Sequence, residues 1–463
     1  MKRKSIAMLL ALALVLSLCA VTAAAGEQAQ DQRETAGESR ETAGEDEAVP
    51  EGGTAEEETE PDSPAGPDTE PGTGPEAGEA VENSLIEPDA VGTVSFANIE
   101  RRMRENNLQI LSIQRSIDTI EEIDYDKTYE DLRKKLNEIA KQQWGVVVIP
   151  AEYVGGEYEK GKAYDQLNQA YDAVREKFDA IKDGEMQKDN ADIVRQLKNL
   201  QDQIVVAGES TYITLKALEV QETQLQRQLE ALNRTVEEME LRYQMGQVSA
   251  LQLQQTKAGR TELVSGLETL RMNARSLKMQ LEMLIGAEQT GEIVLGDVPK
   301  VTDKELEAMD LEQDLLDYKA KSYDLYDAAK TLEDARETYK DDAGKYDYNE
   351  EKYGYRSAKY AWETAQYTYN NTVQSHELKF RALYAQVQDY KQILDAAKVS
   401  LECEKASYQA SELKYKQGSI SKNALLDAES NLKEAEEKVQ TASNDLFSSY
   451  NTYCWAVEHG VLN

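Results

Sequence analysis

Few side chains in this 463-residue sequence have the type and spacing that catalysis or metal binding requires. The two histidines, His376 and His459, fall in helix-like segments without a catalytic partner or a cysteine at ligand spacing, so we expect a surface or packing role for both. No nucleophile elbow, HExxH, P-loop or CxxC motif occurs. The sequence therefore predicts no catalytic residue, no cofactor and no metal, and it favours a protein that is not an enzyme.

The pattern that does repeat is a turn motif, Tyr-x-x-Gly-x-x-Ser. It occurs within Leu241–Ser249 and again, 172 residues later, within Leu413–Ser421. Glycine readily adopts the positive φ that ends a helix, and serine accepts hydrogen bonds from the first amides of the next helix. Gln252 follows Ser249 by three residues and predicts a capping box there. Each motif therefore predicts the turn of a helical hairpin.

Long helices are expected on both sides of these turns, because the apolar residues alternate at spacings of three and four. Three runs of apolar residues with this spacing, which we call seams, cover residues 225–243, 263–284 and 425–456. Seams of this kind are buried against neighbouring helices in coiled-coil packing. After residue 90 the chain contains two prolines and is rich in helix formers. The sequence predicts an all-α fold of duplicated long helical hairpins that pack as a coiled coil.

The duplication extends back to the start of each half. Asn107 and Asp310 precede corresponding helices, and Thr302 with Glu305 predicts another capping box. The interval from Asn107 to the first turn is about 31 residues longer than its counterpart in the second half. The predicted repeats are residues 93–298 and 299–463.

We place the extra residues of the first half at the distal bend around Trp144–Gly161. The valine run there makes it the one β-like patch of the body. The corresponding bend of the second half is predicted at 341–354.

The N-terminal part of the chain predicts export followed by a tether. A basic start, an apolar run over 6–21 and an Ala-rich site predict a signal peptide over 1–25, with a retained membrane anchor as the alternative. Residues 26–92 are predicted to be an acidic, disordered Pro/Gly/Thr-rich linker, since 27–90 hold 21 acidic and 2 basic residues. The formal net charge of −35 excludes nucleic acid as an expected partner.

The duplicated turns carry a family resemblance. The two Tyr-x-x-Gly-x-x-Ser hairpins, each followed by a long Leu/Ala helix, closely resemble the outer-membrane efflux (TolC-type) family, and the opening Val94–Leu108 is also similar to that family. The resemblance covers most of residues 93–462. It implies a homotrimer that forms a hollow α-helical barrel, serves efflux or secretion, and lies in the cell envelope at the outer membrane.

The resemblance also implies partners. In that family the two turns dock with the helical hairpins of a HlyD/MacA-type adaptor, which works with an inner-membrane transporter. The adaptor-docking positions carried over are Gly246, Val248, Ser249, Gly418, Ile420 and Ser421. Tyr415 and Asp427 correspond to positions that constrict the entrance. Ala424 and Ile420 depart from the family pattern, so a different closing network is expected.

The distal end departs further from the family. A membrane-spanning strand needs about 9–11 residues of alternating pattern. The run over 144–153 is broken by Pro150, and 340–353 is charged throughout. The resemblance therefore implies a TolC-like protein that lacks the family's transmembrane β-barrel strands and associates with membranes through its partners.

Aromatic residues at the distal bends leave two interpretations open. Either they pack to hold the bends, or they contact the cell wall or another envelope component. The tyrosines concerned are Tyr339, Tyr346, Tyr348, Tyr353, Tyr355, Tyr360, Tyr367 and Tyr369. For Trp144 and Val146–Ile149 an oligomer contact is a third interpretation.

Two functions from different classes follow from these patterns. The first is an exported conduit that docks with an adaptor through its hairpin tips. The second is a structural coiled-coil protein that acts as an envelope spacer or adhesion protein without a pore. A closed ring would distinguish the conduit from the spacer.

Overall fold

The computed structural model describes residues 89–90 and 92–462. The predicted signal peptide, 1–25, and nearly all of the predicted linker, 26–92, lie outside the described residues. Within the described residues the chain forms eleven α-helices and two strands of two residues each. The predicted all-α fold of duplicated helical hairpins is therefore confirmed.

The helices follow one another along the chain with short connections. The first half contains α1 (Ile99–Asn106), α2 (Leu108–Glu121), α3 (Tyr125–Val148), α4 (Glu157–Lys182), α5 (Glu185–Gln244) and α6 (Ala250–Leu284). The second half contains α7 (Asp303–Glu307), α8 (Leu311–Lys321), α9 (Tyr323–Lys345), α10 (Tyr353–Lys416) and α11 (Lys422–His459). Short 3₁₀ helices cover Phe96–Asn98 and Ala151–Val154.

The four longest helices form a row. Helix α6 packs on α5, α5 packs on α11, and α11 packs on α10, so that α6 and α10 lie at the two edges. The main core cluster lies where α8, α10 and α11 meet, around Tyr318, Phe380 and Tyr453, all of which are buried. The seam residues of α11 are buried in its C-terminal half and are only half-buried towards Ser421.

The two halves begin in the same way. The side chain of Asn107 accepts hydrogen bonds from the backbone amides of Gln109 and Ile110 and so caps α2. Asp310 caps α8 through the corresponding amides of Glu312 and Gln313. The correspondence of Asn107 with Asp310 that the sequence predicts is thus present in the structure.

A small parallel sheet ties the start of the first half to its end. Strand β1 (Thr93–Val94) pairs with β2 (Val294–Leu295). The hydroxyl of Tyr212 on α5 donates to the carbonyl oxygen of Gly296 at 2.7 Å and approaches that of Val94 at 3.2 Å. Before β1, the carboxylate of Asp89 accepts hydrogen bonds from Ser95 Oγ at 2.6 Å and Asn98 Nδ2 at 2.9 Å, so Asp89 bonds to the body of the protein.

The β-like interpretation of the first distal bend is wrong. Val146, Val147 and Val148 are the last turn of α3, and the chain leaves the helix at Ile149, just before Pro150. A residue before proline is pushed out of the α region, which explains the end of the helix, and packing against α4 overrides the β propensity of valine. The extra length of the first half is helical: α4 and α5 hold 26 and 60 residues, against 64 in α10.

The second distal bend lies where the sequence predicts it, between Lys345 and Tyr353. Part of its tyrosine cluster holds the bend. The ring of Tyr339 stacks on Trp362, with ring centroids 6.4 Å apart, and the ring of Tyr348 meets buried Tyr355 edge-on at 6.3 Å. Of the remaining five tyrosines, one, Tyr369, is half-buried and four are exposed to solvent. The exposed ones are Tyr346, Tyr353, Tyr360 and Tyr367.

Among the described residues, no helix combines the length and the apolar character needed to cross a membrane.

Candidate docking tips and entrance

The two Tyr-x-x-Gly-x-x-Ser turns, which we call the tips, have the same backbone geometry. Gly246 has φ of 71° and Gly418 has φ of 72°. The amide of Gln247 donates to the carbonyl of Arg242 at 2.9 Å, and the amide of Ser419 donates to that of Lys414 at 2.8 Å. Both helices thus end with the six-to-one hydrogen bond of a Schellman motif. The predicted turn type is confirmed at both tips.

Serine begins the next helix at each tip. Ser249 Oγ accepts the amide of Gln252 at 3.2 Å, and Gln252 Oε1 accepts the amide of Ser249 at 3.0 Å. This is the predicted capping box. Ser421 Oγ accepts the amide of Ala424 at 3.2 Å without a reciprocal bond, because alanine stands at the third helical position. The second tip is therefore held by fewer hydrogen bonds.

Both tips are open to solvent and carry apolar side chains. A Cβ atom added to Gly246 or Gly418 would meet nothing within 4 Å. Val248 and Ile420 are half-buried. The apolar side chains that are exposed around the tips were not among the sequence-predicted docking residues. They are Leu241, Met245 and Leu251 at the first tip and Leu413 at the second. A sequence signal could have identified these four side chains: each is an apolar residue close to a turn, at a position that does not belong to a buried seam.

Asp427 lies beside the first hairpin. Its Oδ1 is 3.6 Å from Arg234 Nη2 on α5, while its side chain remains 72% exposed. Tyr415 is also exposed, one residue before the end of α10. The predicted entrance residues thus lie near the second tip, and the cation that faces Asp427 was missed by sequence reasoning.

A second contact between the hairpins is more enclosed. Arg227 on α5 donates from Nη2 and Nε to both carboxylate oxygens of Glu437 on α11, at 3.0 and 3.3 Å, and Nη1 also donates to Ser430. The side chains of Arg227 and Glu437 are 14% and 10% exposed. Two parallel bonds to a carboxylate fix geometry as well as charge. This pair fixes how the two hairpins lie against each other above the tips.

The two histidines pack against aromatic rings. His376 Nδ1 lies 2.5 Å from the hydroxyl oxygen of Tyr318, and burial lowers the pKa of His376. The His459 ring lies 4.5 Å from that of Trp455, between ring centroids. Within residues 89–90 and 92–462, no three His, Cys, Asp or Glu side chains are grouped as metal ligands.

The fold and the tips define a class of protein in which a long helical hairpin occurs twice within one chain. Each hairpin ends in an open Gly turn. Comparison with known proteins adds likenesses in fold. No protein-family model and no curated protein matches the chain. Among solved structures, the chain is similar to the outer-membrane channel OprN at 15% identity, covering 62% of this chain and 72% of that one, with a TM-score of 0.44.

Two further solved structures are outer-membrane proteins of known organisms. VceC of Vibrio cholerae aligns at 12% identity over 79% of this chain and 96% of that one, with a TM-score of 0.44. The MtrE outer-membrane channel of Neisseria gonorrhoeae aligns at 15% identity over 79% and 89%, with a TM-score of 0.43. All three solved structures are described as outer-membrane proteins, and two of them as channels. At these identities the likeness concerns the fold alone.

Proposed function

We propose that this chain is the subunit of an exported, TolC-like conduit for efflux or secretion. Three copies form a closed ring, and the tips dock with a HlyD/MacA-type adaptor that works with an inner-membrane transporter. The conduit belongs to the cell envelope and performs no enzymatic reaction. This function fits a chain whose two tips share one backbone geometry.

The observation that carries the proposal is the equivalence of the two tips. Gly246 and Gly418 share one backbone geometry, lie 172 residues apart and are both free of side-chain neighbours. Tertiary packing does not explain why the chain has two turns of one shape, because nothing in the described chain packs on either glycine. A partner that binds both turns in the same way does explain it.

The edges of the four-helix row support a ring. Helix α6 exposes Met272, Met279 and Met283, and helix α10 exposes Leu378 and Val399. Met272 and Met279 are one heptad apart, and Leu378 and Val399 are three heptads apart, so each pair lies on one face of its helix, where no described helix of the chain covers it. Packing the α6 edge of one copy on the α10 edge of the next is a heterologous contact, which generates a ring when the rotation closes.

The test is a double substitution, Gly246→Leu with Gly418→Leu. A bulky side chain at both tips occupies the space in which an adaptor hairpin would mesh. We expect retention on a HlyD/MacA-type adaptor from the same genome to fall by about tenfold or more. Far-UV circular dichroism and the oligomer mass should persist, because neither glycine contributes a buried contact.

Matched controls lie on the same helices but away from the turns. Glu237→Ala on α5 and Lys433→Ala on α11 change exposed side chains and should leave adaptor retention unchanged. Undiminished retention by the double leucine variant would remove the docking assignment and favour the envelope spacer.

A further inference from the structure

The bend of the first hairpin exposes six apolar and aromatic side chains within fifteen residues. We call residues 144–158, which end α3, form the turn and begin α4, the apex. Its exposed side chains are Trp144 (70%), Val147 (48%), Val148 (62%), Ile149 (41%), Tyr153 (82%) and Tyr158 (79%). Single exposed apolar residues are ordinary on protein surfaces, whereas a contiguous patch marks an interaction site.

No described element covers the apex, because it ends a two-helix arm. Helices α3 and α4 pack on each other, with the rings of Tyr129 and Phe178 stacked at 4.6 Å and Gln143 Nε2 donating to Asn168 Oδ1 at 3.3 Å. No residue of α3 is buried, and Ile181 is the buried residue of α4. The arm therefore places the apex away from the core of the protein.

The apex also differs in charge from the rest of the chain. Of the fifteen residues of the apex, two are charged, Glu152 and Glu157, in a protein in which 30% of residues are charged and the net charge is −35. The bend of the second half, 341–354, holds five acidic and two basic residues. An acidic protein repels anionic polymers and anionic surfaces, and an apex with few charges can approach an uncharged or zwitterionic surface more closely than the acidic second bend can.

Within the turn several backbone groups are paired internally. The amide of Tyr153 donates to the carbonyl of Pro150 at 3.0 Å, and that of Gly156 donates to the carbonyl of Ala151 at 2.8 Å. Lys160 Nζ covers the carbonyl of Val147 at 3.0 Å, and Pro150 has no amide hydrogen. Internal pairing is what a lipid environment demands of a turn, since lipid tails offer no hydrogen-bond partner.

We propose that the apex is a membrane-contact site that inserts Trp144, Val148 and Tyr153 into the interface of a zwitterionic lipid bilayer. Trp and Tyr are suited to this depth, because their rings are apolar and their N–H or O–H groups reach water. Apolar faces of helical segments enter the interface by about 5–10 Å without spanning the bilayer. This inference stands apart from adaptor docking, since it involves neither tip.

The experiment uses the full chain with phosphatidylcholine vesicles whose acyl chains are brominated, because bromine quenches tryptophan fluorescence only at close range. We expect quenching in the full chain and its loss in Trp144→Phe, since Trp455 is buried and Trp362 packs against Tyr339. The double variant Val148→Asp with Tyr153→Asp should lower the quenching of Trp144. It should also lower the apex-dependent binding of the protein to the vesicles by about tenfold or more.

Tyr353→Asp is the matched control. Tyr353 is 79% exposed at the acidic second bend, close to the 82% of Tyr153, so the same substitution there should leave quenching unchanged. The apolar run over 6–21 is common to all variants, so it cannot produce a difference between them.

Three outcomes overturn the proposal: Trp144 that stays unquenched, quenching that survives the double variant, or equal loss in Tyr353→Asp. Apex-dependent self-association without vesicles would assign the surface to a second copy of the chain. Apex-dependent sedimentation with purified cell-wall glycan would assign it to the wall. Adaptor retention is unaffected in every case, so failure here is distinguishable from failure of the proposed function.

Discussion

At the level of residues, the buried carboxylate of Glu209 is one of the groups that link the two halves. Glu209 on α5 is 5% exposed, and its Oε2 accepts hydrogen bonds from Asn451 Nδ2 and Trp455 Nε1 of α11, both at 2.7 Å. Burial raises the pKa of Glu209 above its ordinary value of 4.5, although the two hydrogen bonds act in the opposite direction. The ionised form of Glu209 is therefore less favourable in the folded protein than in the unfolded chain.

This gives a pH-dependent prediction for Glu209→Gln. The amide oxygen can accept both hydrogen bonds but does not ionise, so the variant avoids the cost of a buried charge. Because the folded pKa is the higher one, that cost is absent below pH 4.5 and sets in as the pH rises through the folded pKa. We expect a higher thermal midpoint than wild type at pH 7 and a gap that closes towards pH 4.

Glu377→Gln is the control with the opposite sign. Lys319 and Arg381 lower the pKa of Glu377, so its ionised form stabilises the folded state above the ordinary carboxyl pKa. This variant should melt slightly below wild type at pH 7 and not differ at low pH. A Glu209→Gln protein less stable than wild type at pH 7 would contradict the assignment.

At the level of elements, glycines with one backbone conformation serve two purposes. Gly246 and Gly460 both end a helix with φ of 71°. A Cβ atom at Gly246 meets nothing within 4 Å, whereas at Gly460 it would lie 2.5 Å from the backbone carbon of Lys321 and the nitrogen of Ser322. The first glycine serves only the turn, and the second also allows α11 to end against the connection between α8 and α9.

The two alanine variants should therefore differ. Gly246→Ala should lower the free energy of unfolding by about 1 kcal/mol, the cost of a left-handed conformation. Gly460→Ala should cost about 2–4 kcal/mol, because backbone atoms must also move. Urea unfolding followed by circular dichroism measures both, and equal costs would show that the close approach at Gly460 relaxes freely.

At the level of the whole molecule, the open row of four helices leaves both edges to be filled. The exposed apolar residues of α6 and α10 lie on helices that each have one long neighbour within the row. Each Å² of apolar surface that is buried contributes about 25 cal/mol of stabilisation, so edge-to-edge packing of copies is favourable. The proposed ring follows from this arrangement.

Val399→Asp tests the ring. Val399 is 66% exposed at the α10 edge, so the change should leave helicity intact while it breaks the contact between copies. We expect light scattering to give the mass of a trimer for wild type and of smaller species for the variant. Lys433→Asp, on α11 inside the row, should keep the trimer. A wild-type protein with the mass of one chain would contradict the ring and favour the spacer.

Features that depend on a few neighbouring residues could be predicted from the sequence. The turns at Gly246 and Gly418, the capping boxes at Ser249 and Thr302 and the long helices follow from local hydrogen bonds and from periodicity. These interactions span no more than five residues, or repeat along one helix, so their pattern is visible in a single chain.

The tertiary structure decided what depends on distant partners. The bidentate contact of Arg227 with Glu437 joins residues 210 positions apart, and the row of helices fixes which seams stay exposed. The valines at 146–148 have β-forming side chains, yet they are helical because α4 packs beside them and Pro150 ends the helix. Which residues pair across such distances depends on the positions of helices that are far apart in the sequence. The same positions decide whether packing overrides a local preference, and the sequence alone does not give them.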